Sequence, residues 1–366
     1  MTSALSARIG EQAAQVSPGS SSRLADHTTP LVRNEWYVAA MSDELDRTLR
    51  DRWLLGVGVL LYRTTDGTVV ALQNRCPHRS FPLSRGMLEG DNVVCGYHGL
   101  TFGPDGACVR IPSQDTIPKG VRARGFPVVE RPPLVWIWMG DPDQADPTRI
   151  PDHSWLSDPD YGAVCGYLHV KCSYVRLHEN VLDHTHFPFL HGEEVSDVDW
   201  AQAPFEVTQE GNSACITRVL KDHPVDPVFG MVIGNSGHRV TRTSEAWFKT
   251  PAFHAALETI EDLEGGTDGR TEFHFHILHM FTPESATTTH YFWATARDVG
   301  IQDAMLEAGR QMAVATFGED AEALERIEEN WRREDGIREV SITGDRVGLV
   351  MRQIIARRAL DEAAPA

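Results

Sequence analysis

The sequence predicts an α+β protein in which a small all-β domain precedes a larger domain built from strands and helices. Three features lead to this prediction. Short strand-like runs alternate with loops rich in Gly and Pro up to about residue 146. A segment rich in Pro and acidic residues, 141–159, then suits a linker. Beyond it, several strand-like stretches are followed by two long amphipathic regions, which is typical of a mixed domain.

These features divide the chain into three parts. Residues 1–30 are rich in Ser, Ala and Gln and show no sustained hydrophobic period, so we expect a flexible tail there. We place the all-β domain at residues 31–146 and the mixed domain at residues 147–366.

Composition excludes several classes of protein. The chain has 366 residues, of which 41% are hydrophobic and 23% charged, as in ordinary globular proteins. Its formal net charge of −18 argues against general attraction to nucleic acid or to an anionic membrane surface. No apolar run approaches the roughly 18 residues of a membrane span. Because a signal-peptide core is also missing, we expect a cytoplasmic protein.

The strand-like pattern of the first domain begins at Trp36. Runs at 54–62 and 69–73 flank residues 64–67, whose Asp-Gly pair predicts a tight hairpin turn. A further apolar run at 134–139 closes the domain.

The second domain shows both periodicities. Its predicted strands are residues 213–220, 238–248, 254–260, 271–281 and 287–295. Its predicted helices include residues 301–331 and 346–360, where apolar positions recur at helical spacing.

Two loops of the first domain each offer one thiolate and one imidazole. Cys76 and His78 are followed, after sixteen residues, by Cys95 and His98. A structural zinc ion also takes Cys and His ligands, so a zinc site is one interpretation. A [2Fe–2S] cluster with two Cys on one iron and two His on the other suits two such loops better, since common zinc motifs pair Cys with Cys and His with His.

A second group of possible metal ligands lies in residues 180–191, Asn-Val-Leu-Asp-His-Thr-His-Phe-Pro-Phe-Leu-His. The segment predicts a helix that ends near Pro188, because proline cannot continue it. His191 then lies just past the helix end and can come back beside His186. Two imidazoles with Asp183 nearby suit a divalent transition metal. The alternative is a helix surface with scattered polar residues.

The first pair of loops resembles a known cluster signature. Residues 76–79 (Cys-Pro-His-Arg) and 95–102 (Cys-Gly-Tyr-His-Gly-Leu-Thr-Phe) are similar to the Rieske motif, with Leu100 where that family usually has Trp. A Rieske domain followed by N-x-x-D-x-x-H-x-x-x-x-H resembles the catalytic subunits of Rieske non-haem iron oxygenases, from about residue 36 to the C-terminus. The resemblance implies a Rieske [2Fe–2S] domain and an antiparallel-sheet-plus-helices catalytic domain of the helix-grip, START-like type.

The resemblance also implies a mononuclear Fe(II) bound by His186, His191 and a carboxylate from a late helix. Residues 317–328 resemble that helix in the aromatic O-demethylase branch, so we expect Asp320 to be the third ligand, with Glu319 as the alternative. The geometry implied is a 2-His-1-carboxylate facial triad with open positions for O₂.

Three further residues take roles from the same resemblance. Asp183 would bridge His186 to the His98 ring of a neighbouring subunit, which fixes both rings and shortens the electron path. Asn180 would lie beside the iron. His279, in a segment that resembles the dicamba-type O-demethylases, would line the substrate pocket. We expect His184 to be an ordinary histidine.

The implied activity is that of the terminal oxygenase of a multicomponent Rieske monooxygenase. Electrons from NAD(P)H would arrive through a ferredoxin- or flavin-type reductase, and O₂ would hydroxylate or O-demethylate an aromatic, methoxybenzoate-like compound. The vanillate and dicamba branch implies a homotrimer with electron transfer between subunits. Alternatives are an aromatic cis-dihydroxylating dioxygenase, a Rieske electron-transfer protein and a zinc-stabilised module. The remaining cysteines, which match no part of the motif, are expected to be free thiols.

Overall fold

A computed structural model describes residues 24–192, 195–266, 269–334 and 339–363. Residues 1–23 of the predicted tail lie outside the described residues. For residues 24–30 the tail prediction is wrong, because Ala25 is fully buried in the apolar core. Its N–H donates to the Arg352 carbonyl at 3.1 Å, and Arg352 Nε donates to the Ala25 carbonyl at 2.7 Å.

The first part of the chain is all-β. Its strands are β1 Trp36–Met41, β2 Arg50–Leu54, β3 Val57–Arg63, β4 Val69–Gln73, β5 Met87–Glu89, β6 Asn92–Val94, β7 Thr101–Phe102, β8 Cys108–Arg110, β9 Val128–Arg131 and β10 Leu134–Trp138. They form antiparallel sheets in the orders β1-β10-β9, β2-β3-β4 and β5-β6-β7-β8. The predicted run at 54–62 is interrupted, because Leu55 and Gly56 take positive φ values of 50° and 74° and turn the chain between β2 and β3.

The second part contains a seven-stranded antiparallel sheet in the described chain. Its strands are β11 Gly162–Val170, β12 Phe205–Glu210, β13 Ser213–Pro224, β14 Arg239–Thr250, β15 Phe253–Asp262, β16 Glu272–Pro283 and β17 Thr289–Arg297. The order is β11-β17-β16-β15-β14-β13-β12, so that consecutive strands are neighbours except where β11 pairs with β17. The two strands at the edges of this sheet, β11 and β12, are absent from the sequence prediction.

The helices are α1 Tyr174–Leu182, α2 Phe187–Leu190, α3 Val198–Gln202, α4 Pro227–Ile233, α5 Asp303–Arg333 and α6 Arg346–Ala363. The single helix expected around residues 180–188 is two helices. The Ser173 side chain accepts the Val175 N–H and starts α1 six residues before Asn180. Asp183 is extended, with φ −95° and ψ 108°, and ends that helix. Pro188 lies in the first turn of α2, where proline is tolerated.

The two faces of the large sheet have different partners. One face packs against α1, α5 and α6 through Phe248, Phe281, Trp293, Val175, Phe317 and Met351. The other face packs against β1 and β10 through Leu278, Met280, Phe292, Trp36 and Trp136. The first part of the chain therefore supports the sheet from behind and leaves its helical side to form a cavity.

The segment between the two parts, 141–159, contains short 3₁₀ turns at Pro142–Gln144, Pro147–Arg149 and Ser154–Ser157. The exact boundary at residues 146 and 147 stays a prediction. None of the described helices combines the length and the apolarity needed to cross a membrane.

Candidate metal centres and substrate cavity

The two Cys/His loops of the first domain have the same backbone design. The Cys76 N–H donates to the Phe81 carbonyl at 2.8 Å, and the Cys95 N–H donates to the Leu100 carbonyl at 2.8 Å. In each loop the residue four positions after the cysteine returns its N–H to the cysteine carbonyl, and that residue has positive φ: Ser80 at 61° and Gly99 at 73°. Leu100, where the Rieske motif usually has Trp, is buried in the core beneath the loops.

The donor atoms of these loops fit a two-iron cluster better than a single zinc ion. Cys76 and Cys95 are buried, whereas His78 and His98 are exposed with ring centroids 4.6 Å apart. Four ligands of one tetrahedral zinc ion would lie within about 4 Å of one another. Within the described part of the chain, no three donors from these residues lie within 4.8 Å of one another. A cluster with the thiolates on one iron and the imidazoles on the other accepts this wider spacing.

The burial of the Cys76 thiol also favours a bound metal. Burial raises the pKa of Cys76 to about 11, and the neighbouring Cys95 adds to the increase. The Cys76 thiol would therefore stay protonated without a compensating cation, and metal binding replaces that proton. The other four cysteines, which are Cys108, Cys165, Cys172 and Cys215, form no disulfide.

A second group of donors lies on the helical side of the large sheet. His186 precedes α2, His191 follows it, and Asp320 lies on α5. Asp320 Oδ1 is 3.3 Å from Nε2 of both His186 and His191, and the three donor atoms lie within 4.8 Å of one another. The short helix α2 brings the two imidazoles together, as expected from the sequence. The set matches a facial triad for one metal ion.

Electrostatics at this group favour a charged carboxylate. Burial alone would raise the pKa of Asp320, but the hydrogen bonds and charges of His186 and His191 outweigh it and hold this pKa well below its usual value. Burial would likewise lower the pKa of His191, but Asp320 and Glu319 outweigh it and raise this pKa. A divalent cation bound by the same atoms would replace the proton on the imidazole.

Two neighbours orient these candidate ligands. Asn180 Nδ2 donates to Asp320 Oδ1 at 2.9 Å. Glu319 Oε2 lies 2.8 Å from His191 Nδ1, the ring nitrogen that faces away from Asp320. A carboxylate that accepts the Nδ1–H fixes the tautomer in which Nε2 is free to bind a metal. The geometry thus gives the two adjacent acids different places, with Asp320 beside the donors and Glu319 behind His191.

The chain does not join Asp183 to His186. Asp183 Oδ1 instead accepts the Thr185 N–H at 2.8 Å, and no hydrogen bond links Asp183 to either imidazole in the described chain. The bridge between subunits expected from the sequence therefore stays a prediction.

The group of donors opens onto an elongated cavity of about 200 Å³. Along α5 the cavity is lined by Leu306, Gly309, Met312, Ala313, Thr316, Phe317 and Asp320. These positions form one stripe of the helix, and the fourteen steps from Leu306 to Asp320 correspond to a rise of about 21 Å. Most of the lining is apolar, which excludes water from the space beside the candidate ligands.

His279 lies in this cavity, as the sequence predicts. Its Nδ1 is 2.6 Å from the Tyr291 hydroxyl, and its ring contacts Phe317 at 5.3 Å between centroids. Burial lowers the pKa of His279 to about 4, so the ring is neutral at pH 7. When the Tyr291 hydroxyl donates to Nδ1, Nε2 carries the ring proton and can donate it to a substrate oxygen.

Sequence reasoning did not identify His184 as a lining residue or Tyr291 as the hydrogen-bond partner of His279. His184, expected to be ordinary, is buried, lines the cavity and stacks on Phe187 with ring centroids 5.0 Å apart. Tyr291 was not singled out, although its alternation with His290 along β17 could have indicated opposite faces. His290 itself lies at the contact with the first domain, where Nε2 is 2.9 Å from the Trp53 carbonyl.

Comparison with known families divides the chain in a similar way. Residues 35–122 match the Rieske [2Fe-2S] domain, and residues 170–361 match the vanillate O-demethylase oxygenase C-terminal domain.

Curated relatives cover most of the chain. The iron–sulfur subunit of the toluene-4-sulfonate monooxygenase system of Comamonas testosteroni is 37% identical over 303 residues, which are 80% of this chain and 87% of the relative. The oxygenase component of dicamba O-demethylase from Stenotrophomonas maltophilia is 34% identical over 339 residues, 91% of this chain and 99% of the relative.

Solved structures agree with this assignment. The crystal structure of dicamba monooxygenase bound to 3,6-dichlorosalicylic acid superposes with a TM-score of 0.85 at 32% identity, covering 92% of this chain and 100% of the other. The crystal structure with non-haem iron and dicamba has a TM-score of 0.77 at 31% identity, covering 91% and 99%.

The fold, the two groups of donors and the comparisons lead to one assignment. The all-β domain carries a Rieske [2Fe–2S] cluster, and the second domain is the oxygenase domain, which uses a mononuclear iron and O₂. The protein is therefore an oxidoreductase of the Rieske type. The chain belongs to the Rieske non-haem iron oxygenases, as an oxygenase component of the vanillate and dicamba O-demethylase type.

Proposed function

We propose that this oxygenase component removes the methyl group of a methoxybenzoate-like arene. The observation that carries the proposal is the position of His186, His191 and Asp320 at one end of an elongated apolar cavity. The reaction consumes the methoxyarene, O₂, two electrons and two protons, and it gives a phenol, formaldehyde and water. Hydroxylation of the methyl carbon creates a hemiacetal, whose collapse breaks the bond between oxygen and that carbon.

In this proposal His186, His191 and Asp320 hold the mononuclear iron, which supplies the redox chemistry that activates O₂. Asn180 donates a hydrogen bond that keeps the Asp320 carboxylate turned toward the two imidazoles. Glu319 accepts the Nδ1–H of His191 and keeps Nε2 available. Because all three side chains reach the site from one side, an iron held by them would stay accessible to O₂ and substrate from the cavity.

The cavity wall would bind and orient the arene. The apolar residues of α5 and of the sheet exclude water, which protects the reacting carbon from side reactions. His279 would donate its Nε2–H to an oxygen of the substrate near the reacting group, while Tyr291 fixes the ring. The choice of a methoxyarene carrying an acid group draws on relatives named as dicamba O-demethylase and vanillate O-demethylase.

For electron delivery we propose a homotrimer fed by an NAD(P)H-dependent reductase of the ferredoxin or flavin type. His78 and His98 are exposed, as a docking surface for another subunit requires. Asp183 would accept N–H bonds from His186 and from the His98 ring of a neighbouring subunit. A head-to-tail ring lets each cluster meet the next subunit's iron centre. A cytoplasmic location stays a prediction.

The first test measures iron and acid-labile sulfide per chain in anaerobically purified protein and in His186→Ala. About three irons and two sulfides, falling to about two irons in the variant, are expected from one cluster plus one mononuclear iron. The holoenzyme is then supplied with reductase, NADH and 4-methoxybenzoate. Stoichiometric formaldehyde and phenol support O-demethylation, whereas a cis-diol product would assign dihydroxylation instead.

A further inference from the structure

The end of the cavity remote from the candidate iron ligands carries a row of side chains across the sheet. Strand register places Glu258 opposite Phe275, and Phe275 opposite Arg297. All three residues line the cavity. The row thus sets a carboxylate and a guanidinium on either side of one phenyl ring, at the end where β17 finishes.

The carboxylate of this row is already neutralised. Glu258 Oε2 accepts from Arg242 Nε at 2.9 Å, and its other oxygen accepts the Ser244 hydroxyl at 2.5 Å. Arg242 also contacts Asp226 at 2.9 Å. Arg242 therefore has no surplus positive charge to offer a ligand.

The positive charge of Arg297, in contrast, is not balanced by a carboxylate of the described residues. Its Nη2 donates to the carbonyls of Gly300, at 3.1 Å, and Met305, at 2.6 Å. Its Nε is buried without a partner, and both hydrogen bonds of this guanidinium to described residues come from Nη2. No carboxylate of the described residues lies within the 4.0 Å of an ion pair. A half-buried guanidinium without a counter-ion is costly, so an anion is expected to pair with it.

A glycine on α5 leaves room for this guanidinium. Gly309 lines the cavity, and a Cβ added there would lie 2.7 Å from Arg297 Nη1. Glycine in a helix interior costs roughly 0.5–1 kcal/mol relative to alanine. Its presence at this position therefore trades helix stability for the space around Nη1.

The distance from Arg297 to the candidate iron ligands limits the size of the anion. Gly309 and Asp320 are eleven residues apart on α5, which corresponds to about 16 Å. A charged hydrogen bond from Arg297 to the anion takes up about 3 Å of this separation, and the reacting carbon must come within about 3–3.5 Å of the reactive centre. Roughly 10 Å therefore remain for the length of the substrate between its anion and its reacting carbon. An anion ortho to the reacting group is too close to span this gap, whereas a para or extended one is not.

We propose that Arg297 binds a carboxylate or sulfonate at the end of the substrate remote from the iron, so that the enzyme selects arenes with an anion para to the reacting group or on a short para chain. This inference rests on the proposed function, since the cavity must be the substrate site. His279 lies about 13 Å closer to the ligands along the strands and would meet an oxygen beside the reacting group instead.

The test measures binding to the anaerobic holoenzyme by calorimetry with three probes of one size. They are 3-(4-methoxyphenyl)propanoate, its uncharged amide, and the 2-methoxy isomer of the acid. Wild-type protein should bind the para acid about 10- to 100-fold more tightly than the amide or the ortho acid, which is the usual range for a hydrogen bond between charged groups. Arg297→Met should remove most of that preference and leave amide binding unchanged.

Two further variants make the result specific. Arg310→Met removes the same charge from the exposed side of α5, where Arg310 pairs with Glu307, and should change nothing. Gly309→Ala keeps the charge but crowds Nη1, so it should weaken binding of the para acid even if Arg297→Met fails to fold. Equal binding of acid and amide in the wild type, or an unchanged preference in Arg297→Met or Gly309→Ala, overturns the inference. Selective binding of the para acid without formaldehyde release under O₂ would contradict O-demethylation and leave the Arg297 site standing.

Discussion

At the scale of single residues, Asp320 and Glu319 are adjacent in sequence but make different contacts. Asp320 faces Nε2 of both imidazoles, whereas Glu319 contacts only the rear nitrogen of His191. We expect Asp320→Asn to lose the mononuclear iron, about one iron per chain, and to keep the cluster and its visible absorption. Iron and sulfide analysis of the purified variant measures this.

The matched control is Glu319→Gln. This variant should keep the iron but bind it about 10- to 100-fold more weakly, because the His191 ring loses the carboxylate that orients it. If Glu319→Gln lost its iron while Asp320→Asn retained it, the two roles would have to be exchanged.

His279 gives a second prediction at this scale. Burial lowers the pKa of His279 to about 4, so its Nε2–H is a neutral donor across the working range of pH. His279→Ala should reduce kcat/KM for the true substrate by about tenfold, because one buried hydrogen bond is lost. Tyr291→Phe should cause a smaller decrease in kcat/KM, since it removes only the hydrogen bond that fixes the His279 ring. Steady-state kinetics at pH 7 decide, and an unchanged kcat/KM in His279→Ala would falsify the substrate role.

The residues differ in how far sequence could identify them. Cys76, His78, Cys95 and His98 form a local motif, so their spacing alone narrows the chemistry. Asp320 lies more than a hundred residues from His191, and only family resemblance singled it out among the acids of its helix. Arg297 carries no motif at all. Its place in the cavity follows from the pairing of β16 with β17, which one sequence does not encode locally.

At the scale of elements, α5 must be held in place because it carries Asp320. Glu328, one of its residues, is only 1% exposed and contacts Arg176 Nε of α1 at 3.2 Å. Removing one partner of a buried ion pair leaves the other unpaired. We therefore expect Glu328→Ala to lower the free energy of unfolding by about 3 kcal/mol.

Urea denaturation measures this loss, and the same helix offers a control. Glu322 pairs with Arg326 at 3.5 Å, with both side chains more than 70% exposed. Such a surface pair contributes little, so Glu322→Ala should leave the unfolding midpoint where it is. Equal losses in both variants would mean that the buried pair does not anchor α5.

The helices and strands also show where the hydrophobic pattern of the sequence does not predict the structure. The long amphipathic helices α5 and α6 were expected within a few residues of their bounds, because their periodicity extends over many turns. The bounds of the helix through residue 180 were not predicted correctly. The side chain of Ser173 caps α1 several residues before the predicted start, and Asp183 ends the helix before Pro188. Edge strand β12 was missed because four of its six residues are exposed to solvent and interrupt the apolar pattern.

At the scale of the whole molecule, buried histidines should make the fold sensitive to acid. Burial lowers the pKa of His178 to about 3 and that of His276 and His290 to about 4. In the unfolded chain these rings titrate near 6.5. The unfolded state therefore binds protons first, so stability is fully present above pH 6.5 and is lost as pH falls toward 4.

His178→Gln tests how much His178 contributes to this loss of stability in acid, because glutamine can keep the hydrogen bond to the Pro251 carbonyl without titrating. Between pH 6 and 4 the free energy of unfolding of the variant should fall less steeply than that of the wild type, by about 1.4 kcal/mol per pH unit. Denaturation curves at several pH values give both slopes. Parallel slopes would show that His178 contributes nothing to acid sensitivity.

The last prediction concerns how subunits cooperate. Cys76 and Cys95 of the cluster loops lie in one apolar core, whereas Phe317 and Leu324, which flank Asp320 on α5, lie in another. No hydrogen bond or ion pair joins His78 or His98 to His186 or His191 in the described chain. If electrons pass between neighbouring subunits, a chain without a cluster and a chain without mononuclear iron can complement each other. Cys76→Ser supplies the first and His186→Ala the second, and each should be inactive alone.

Co-expressed with different tags and purified through both, the two variants should regain roughly a third of wild-type turnover, since in every mixed head-to-tail trimer one interface in three pairs an intact cluster with an intact iron site. Adding Asp183→Asn to the Cys76→Ser chain should abolish this recovery, because that chain supplies the iron and the carboxylate beside it. Electron transfer confined to one chain predicts no recovery under any mixing. Recovery of activity therefore tests electron transfer between subunits, and its loss on adding Asp183→Asn tests the bridging role of Asp183.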